Sequence, residues 1–361
     1  MITRGDDYPI HQTAEPVARV GTADPNFYDR YFFNGYARDG SVFLAAALGQ
    51  YPNRGVVDAA FNVIHRGRQY VVRASRSDAG RDRMDTRVGP IEVSVVEPLR
   101  RLRLTIDPNP FGLSGELLFT GRGAVIEEPR FTREHGGHVF MDSTRLTQHV
   151  EIEGRIEVEG ETIAVTPQRF WGSRDRSWGI RPVGERTAET PAAPPQFYWL
   201  WAPINFEDLG THFDVNEAAD GSRWHQAGML VPVGGEVETL PAVDYRLEFQ
   251  PGTRYARRAE LTLTRAQADP LIIGLTPLYN FYMVGLGYQH PTWGHGMRVG
   301  ADAVDGESWA LADVDPSVPL HLHIQAVCEA VCGTRRGIGV LEQLFLGPHA
   351  PSGFKDLFDL A

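Results

Sequence analysis

The chain has 361 residues, of which 42% are hydrophobic and 22% are charged, as in globular proteins, and its length suggests about two domains. The 46 acidic residues outnumber the 35 Lys and Arg residues, so the net charge of −11 disfavours nucleic acid as a partner. Lys355 is the one Lys in the sequence, which excludes Schiff-base catalysis in the body of the chain and a P-loop for nucleotide phosphates.

From the sequence we expect no segment that directs the protein into or across a membrane. No apolar run reaches ~18 residues, so we expect no membrane span. The first residues, MITRGDDYPIHQ, contain no apolar stretch of a signal peptide, and two Cys residues make no disulfide framework. These features predict a cytoplasmic protein.

Apolar and polar residues alternate with a period of two along much of the chain, which predicts β-strands. Strands are predicted at residues 69–73, 91–95 and 102–106, hairpins at 150–165 and 245–263, and a late strand at 321–327. The 38 Gly and 25 Pro residues favour many short turns, and long amphipathic helices are scarce. The sequence therefore predicts an all-β protein.

Residues 182–195 read PVGERTAETPAAPP, a stretch without apolar periodicity that is typical of a linker. It divides the chain into halves of similar size, so we predict an N-terminal β domain over residues 1–185 and a C-terminal β domain over residues 186–361. Each half is expected to form an antiparallel barrel or sandwich. A barrel leaves an apolar cavity and a sandwich does not, and periodicity does not choose between them.

The densest group of reactive and aromatic side chains lies at residues 170–182, FWGSRDRSWGIRP. Arg guanidinium groups stay charged and stack on indole rings, so this composition is typical of a binding or catalytic site. A surface network of Arg and Asp capping a barrel is the alternative. The candidate site residues in this segment are Trp171, Arg174, Asp175, Arg176, Trp178 and Arg181.

Two further candidates follow the linker. In an extended strand Phe197, Trp199 and Trp201 share one face, where they either line a cavity for a large apolar ligand or fill a core. His212 and Asp214 also share a strand face. Such a pair is suited to acid–base work, or it belongs to a polar outer face.

Metal and nucleotide sites have little support in the sequence. His290, His295, His321 and His323 do not match the spacing of a metal motif, and Cys328 and Cys332 have no further Cys to complete a zinc set. No Gly-x-Ser-x-Gly or GxGxxG motif occurs. We therefore expect no metal and no cofactor.

Several motifs together carry a resemblance to a known family. They are EPR at 128–130, DSTRLTQ at 142–148, GSRDRSWGIRP at 172–182, HPTWGHG at 290–296 and GIGVLE at 337–342. The chain resembles the hydroxyneurosporene synthase (carotenoid 1,2-hydratase)/AttH-like superfamily, in a branch that carries RDRSWGxRP. The resemblance covers most of residues 25–350 and implies two tandem lipocalin-like antiparallel β domains with a deep apolar tunnel.

The resemblance also implies a reaction, the addition of water to an isoprenoid C=C bond without cofactor or metal. Asp175 inherits the role of the acid, although Ser173 and Ser177 replace the family's Tyr and Asn. The two flanking Arg residues make Asp175 a poor proton donor near pH 7 unless burial offsets them. An apolar isoprenoid, polycyclic or lipid-like substrate is the expected partner.

The remaining candidates take supporting roles in this hypothesis. Arg174, Arg176 and Arg181 orient the acid or a substrate oxygen, and Gln148 or His149 positions a water molecule. Trp171, Trp178, Trp199, Trp201 and His212 contact the substrate. Two other functions stay open: a non-catalytic carrier of an apolar ligand, and a cofactor-free cyclase or isomerase.

Overall fold

The computed structural model describes residues 2–77, 82–185, 196–357 and 359–361, and this part of the chain is built almost entirely from β-strands. No α-helix occurs in it; helical structure is confined to single 3₁₀ turns. The 3₁₀ turns are Arg4–Asp7, Pro52–Arg54, Met283–Leu286, Leu311–Asp313, Pro319–His321 and Ala350–Ser352. No helix in the described ranges has the length and apolar character needed to cross a membrane.

The first sheet contains fourteen antiparallel strands and is coiled nearly into a closed barrel. Thirteen of its strands come from the first half of the chain: β1 Phe27–Ala37, β2 Val42–Tyr51, β3 Val56–His65, β4 Arg68–Ser77, β5 Arg87–Val88, β6 Ile91–Glu97, β7 Arg101–Ile106, β8 Leu113–Gly121, β9 Ile126–Glu127, β10 Phe131–His135, β11 His138–Val158, β12 Glu161–Val165 and β13 Phe170–Ile180. In space the main path runs β4-β3-β2-β1-β13-β11-β8-β7-β6-β5.

The second half of the chain supplies the second sheet and one strand of the first. Its strands are β14 Phe197–Trp201, β15 Ile204–Phe206, β16 Leu209–Glu217, β17 Arg223–Pro232, β18 Glu238–Thr239, β19 Ala242–Phe249, β20 Ala256–Thr264, β21 Leu271–Tyr282, β22 Asp302–Ala310, β23 His323–Cys332 and β24 Arg335–Leu346. The second sheet is ordered β18-β17-β16-β14-β24-β23-β21-β20-β19, with β15 between β16 and β24. Strand β22 instead pairs with β4, at the edge of the first sheet.

Each sheet encloses an apolar core, and a third core lies where the sheets meet. Strand β1 shows the division: Phe33 packs inside the first sheet, whereas Phe32 and Tyr36 pack against residues of the second sheet such as Trp201 and Phe281. Successive side chains of a strand point to opposite faces, so a strand between two cores is buried on both. Strand β2 accordingly is buried along its whole length.

The all-β prediction is confirmed, with one barrel-like antiparallel sheet and a second sheet. Residues 186–195 of the predicted linker lie outside the described residues, so the boundary between residues 185 and 186 stays a prediction. The position of β22 shows that residues 302–310 complete the sheet built by the N-terminal half.

Candidate functional site

A cavity of about 130 Å³ lies between the two sheets, on the outer face of the first. Its polar lining consists of Arg30, Ser143, Arg145, Asp175, Ser177, Arg181, Asn216, His323 and Glu342. The aromatic and apolar lining consists of Tyr28, Phe32, Phe131, Met141, Phe197, Trp199, Trp201, Met283, Tyr288 and Leu344. Polar groups set into a cleft with aromatic walls are typical of small-molecule sites.

Strand β13 carries Asp175 into this cavity. The strand lies between β1 and β11, and Asp175 is paired in register with Phe32, another lining residue. Because side chains alternate along a strand, Arg174 and Arg176 leave from the opposite face. Arg174 donates to Gln148 Oε1 over 2.9 Å, and Arg176 binds the Asp29 carboxylate. The two arginines that flank Asp175 in the sequence therefore do not flank its carboxyl group.

The Asp175 carboxyl has no hydrogen-bond or ion-pair partner in the described ranges. Burial raises its pKa from 3.8 to about 6; the charges of Arg145 and Arg30 act against this rise, and those of Glu128 and Glu342 add to it. Desolvation outweighs the cations because none of them contacts the carboxyl group. A carboxyl group with a pKa of about 6 can donate its proton near neutral pH.

Strand β14 forms the aromatic wall of the cavity. Phe197, Trp199 and Trp201 leave from one face and line the cavity, while Tyr198 and Leu200 leave from the other and pack inside the second sheet. The indole Nε1 of Trp199 donates to Asp214 Oδ1 over 2.8 Å, which fixes the ring. The wall thus gives the cavity that Asp175 lines an aromatic surface.

Behind this wall a buried ionic cluster supports the site. The Nη2 atom of Arg145 lies 2.5 Å from Glu128 and 2.6 Å from Asp214. Although burial opposes it, the Arg145 guanidinium holds the pKa of Asp214 below its ordinary value. His212 and His225 approach the same carboxylates, at 3.7 and 3.4 Å.

The same cluster contains three side chains of the types that bind metal ions. Ligand atoms of Glu128, His212 and Asp214 lie within 4.8 Å of one another. The guanidinium of Arg145, however, already contacts both carboxylates and supplies their positive charge. The donor set is therefore committed to an internal cation, and we assign no chemistry to a metal at this place.

A second chain of polar groups enters the cavity from the second sheet. His323 Nε2 lies 2.6 Å from Glu342 Oε1, and Gln325 donates to Glu342 Oε2 over 2.7 Å. Asn34 of the first sheet donates to Gln325 over 3.2 Å, so the chain crosses between the sheets. The sequence does not predict this pair, because His323 and Glu342 lie on different strands, although Glu342 ends the GIGVLE motif.

The other candidate residues do not line the cavity. Gln148 donates to the carbonyl oxygens of Leu99 and Gly123. Burial lowers the pKa of His149 to about 3, and neither of its ring nitrogens has a partner in the part of the chain described here.

The remaining three candidates are also held elsewhere. The ring of Trp171 is stacked by Arg38 and Arg122 at 3.9 and 4.1 Å. Trp178 is 38% exposed in a groove beside the N-terminal segment. His212 is buried behind the ring of Trp201, rather than on a solvated face. Of the eleven residues to which the hydratase hypothesis gives a role, the cavity brings together Asp175, Arg181, Trp199 and Trp201.

Solved structures with the same fold include an AttH-like protein from Nitrosomonas europaea and CghA, the latter crystallised with Sch210972. The first has 14% identity and a TM-score of 0.57, over 88% of this chain and 92% of that one. The second has 12% identity and a TM-score of 0.50, over 89% of each chain. At this identity the likeness shows the fold alone, and no curated protein sequence matches.

These neighbours confirm the fold that the resemblance implied. A narrower relationship is shown by a sequence family whose model matches residues 2–355, nearly the whole chain. The chain belongs to this family, the Family of unknown function (DUF8625).

Proposed function

We propose that the protein is a cofactor-independent enzyme of the hydratase or lyase type, acting on an apolar isoprenoid, polycyclic or lipid-like alkene. One observation carries the proposal: the Asp175 carboxyl stands without a partner in an aromatic cavity, and burial holds its pKa near 6. A carboxyl group kept partly protonated by its surroundings is the usual general acid of such sites.

In the forward reaction the Asp175 carboxyl gives its proton to one alkene carbon. The π electrons form the new C–H bond, and the other carbon becomes cationic. The faces of Trp199 and Trp201 lie on the same cavity and stabilise that cation by about 1–2 kcal/mol each when water is excluded. A water oxygen then bonds to the cationic carbon.

The added water must lose a proton, and the geometry favours His323 as the group that takes it. Its Nε2 is held by Glu342, whereas its Nδ1 has no partner in the described ranges. This replaces Gln148 and His149, which do not line the cavity. A carboxylate that orients a histidine and stabilises its charged form is a recurring arrangement for proton transfer.

The test begins with the substrate. Native mass spectrometry of the purified protein identifies a retained apolar ligand and selects alkenes for assay in H₂¹⁸O. We expect ¹⁸O incorporation into the product, and a fall of kcat of about 100- to 10,000-fold for Asp175→Asn. Asp208→Asn is the control, because Asp208 is an exposed partner of Arg335 outside the cavity.

Other outcomes would contradict the proposal in distinct ways. Unchanged turnover in Asp175→Asn would remove Asp175 from the mechanism. A ligand that the wild type binds and releases unchanged would favour a carrier. A product that is isomeric with the substrate and contains no ¹⁸O would favour a cyclase or isomerase.

A further inference from the structure

Arg30 of β1 brings a buried positive charge to the cavity, and its bonding is incomplete. The residue is 2% exposed. Its Nη1 donates to the Tyr288 hydroxyl over 2.6 Å, while Nε and Nη2 have no hydrogen-bond partner in the described ranges. Its guanidinium forms no ion pair with a carboxylate of these ranges. The Nε and Nη2 atoms of Arg30 are therefore both available to donate hydrogen bonds to a ligand.

Arg181, the residue that follows β13, also lines this end of the cavity. Its Nη2 lies 3.2 Å from His295 Nδ1, and its Nε has no partner among the residues described. Its guanidinium carbon lies 4.5 Å from the Tyr28 ring centroid and 5.6 Å from that of Tyr288. The guanidinium carbon of Arg30 is 4.8 Å from the same Tyr288 centroid. Two cations thus share one aromatic neighbour.

Two other buried arginines in this fold have more complete bonding. Arg145 contacts two carboxylates, and Arg254 donates to four backbone carbonyl oxygens. Asp58 interacts electrostatically with both Arg30 and Arg181, but its carboxylate oxygens accept hydrogen bonds from the Tyr51 hydroxyl and the Gly296 N–H instead. Burying charge without a contacting counter-charge costs several kcal/mol, which a bound anion would offset.

The cavity also has a polar and an aromatic side. Beside the two cations lie the hydroxyl groups of Tyr28 and Ser143, 3.2 Å apart, and the side chain of Ser177. The aromatic wall of Phe197, Trp199 and Trp201 carries no such donors apart from the indole N–H groups. A ligand that fits both sides has an apolar body and an anionic end.

We propose that the Arg30–Arg181 end of the cavity binds a carboxylate or similar oxyanion, so that the substrate is an amphipathic anion rather than a neutral hydrocarbon. This inference rests on the cavity of the proposed function and deepens it. Arg is suited to the role because its fork of N–H donors matches the two oxygens of a carboxylate. The anion anchors the molecule and leaves its apolar part between Asp175 and the indole rings.

The experiment compares ligands that differ in the charge of one group. Geranic acid and geraniol form one pair, and 2-naphthoic acid and 2-naphthalenemethanol form another. Binding to the full-length protein at pH 7.5 is measured by calorimetry and by quenching of Trp fluorescence. We expect at least one acid to bind at least tenfold more tightly than its alcohol, and Arg30→Gln and Arg181→Gln to reduce this ratio below three.

Matched variants keep the result interpretable. Arg335→Gln removes an exposed arginine paired with Asp208 and should leave the ratio unchanged. Circular dichroism verifies the fold of Arg30→Gln, and Arg181→Gln serves as the second variant because Arg181 is only partly buried. Asp175→Asn should retain the preference for the acid, so a loss of turnover and a loss of anion binding are separable.

Two results would overturn the inference. One is a wild type that binds no acid of either pair more tightly than its alcohol. The other is a folded Arg30→Gln or Arg181→Gln variant with the full preference of the wild type. If the protein prefers the acids but turns over no alkene, the proposed reaction is wrong and the anion site is supported.

Discussion

At the scale of single residues, the properties of Asp175 follow from strand geometry. In the sequence it stands between Arg174 and Arg176, which lower the pKa of its carboxyl unless burial offsets them. In the fold the two arginines leave from the opposite face of β13, where they bind Gln148 and Asp29. Burial then dominates, and the pKa rises to about 6. The motif does not say whether the arginine charges or burial sets the pKa of Asp175. The strand face that each side chain occupies decides it.

This pKa makes a prediction for stability. Because the folded-state pKa of Asp175 lies above 3.8, its unfolded value, folding is favoured below about pH 4, and this contribution is lost as the pH rises through about 6. Asp175→Asn should therefore be more stable than wild type at pH 8, by about 2–3 kcal/mol, and equal to it near pH 4. Urea unfolding at both pH values measures the difference.

The control variant, Asp208→Asn, should change the free energy of unfolding at pH 8 in the opposite direction. Arg335 lowers the pKa of Asp208, so Asp208 stabilises the fold above its unfolded-state pKa. Asp208→Asn should lose less than about 1 kcal/mol at pH 8, because the pair is solvated. A wild type that is as stable as Asp175→Asn at pH 8 would mean that the carboxyl is well solvated.

At the scale of elements, β13 is the strand that joins the functional groups. It lies between β1 and β11 in the first sheet and turns one face to the cavity. Its close fit depends on Gly172, which is in register with Gly35 on one side and Val150 on the other. A Cβ at Gly172 would overlap the backbone carbonyl oxygen of Asn34. The strand therefore tolerates no side chain there.

Gly172→Ala should accordingly shift β13 and destabilise the protein by about 3 kcal/mol, because backbone atoms cannot move aside as a side chain can. Thermal unfolding by circular dichroism measures the loss. Gly274→Ala in β21 is the matched control, since a Cβ there meets no atom of the described residues within 4 Å. Equal melting temperatures for Gly172→Ala and wild type would contradict the predicted overlap.

At the scale of the whole molecule, the two sheets depend on each other. Their shared core joins Phe32, Tyr36 and Phe43 of the first sheet to Trp201 and Phe281 of the second. In addition β22, from the second half of the chain, covers the edge of β4. An uncovered strand edge and an exposed apolar face both promote aggregation.

Residues 1–185 expressed alone should therefore aggregate, whereas co-expression with residues 186–361 should yield a soluble complex. Size-exclusion chromatography distinguishes these outcomes. We also expect the full chain to unfold in one calorimetric transition. A monomeric, folded 1–185 fragment, or two well-separated transitions of the intact chain, would show that the sheets are independent.

The sequence by itself determined the β class, the common face of Phe197, Trp199 and Trp201, and the segment that carries Asp175, because these depend on a local period of two and on contiguous motifs. Only the tertiary structure decided that the cavity lies between the sheets, with Arg30, His323 and Glu342 beside Asp175. Local alternation says which residues share a face but not what that face meets. Burial, and with it the pKa of Asp175, depends on strands far apart in the chain that pack against each other.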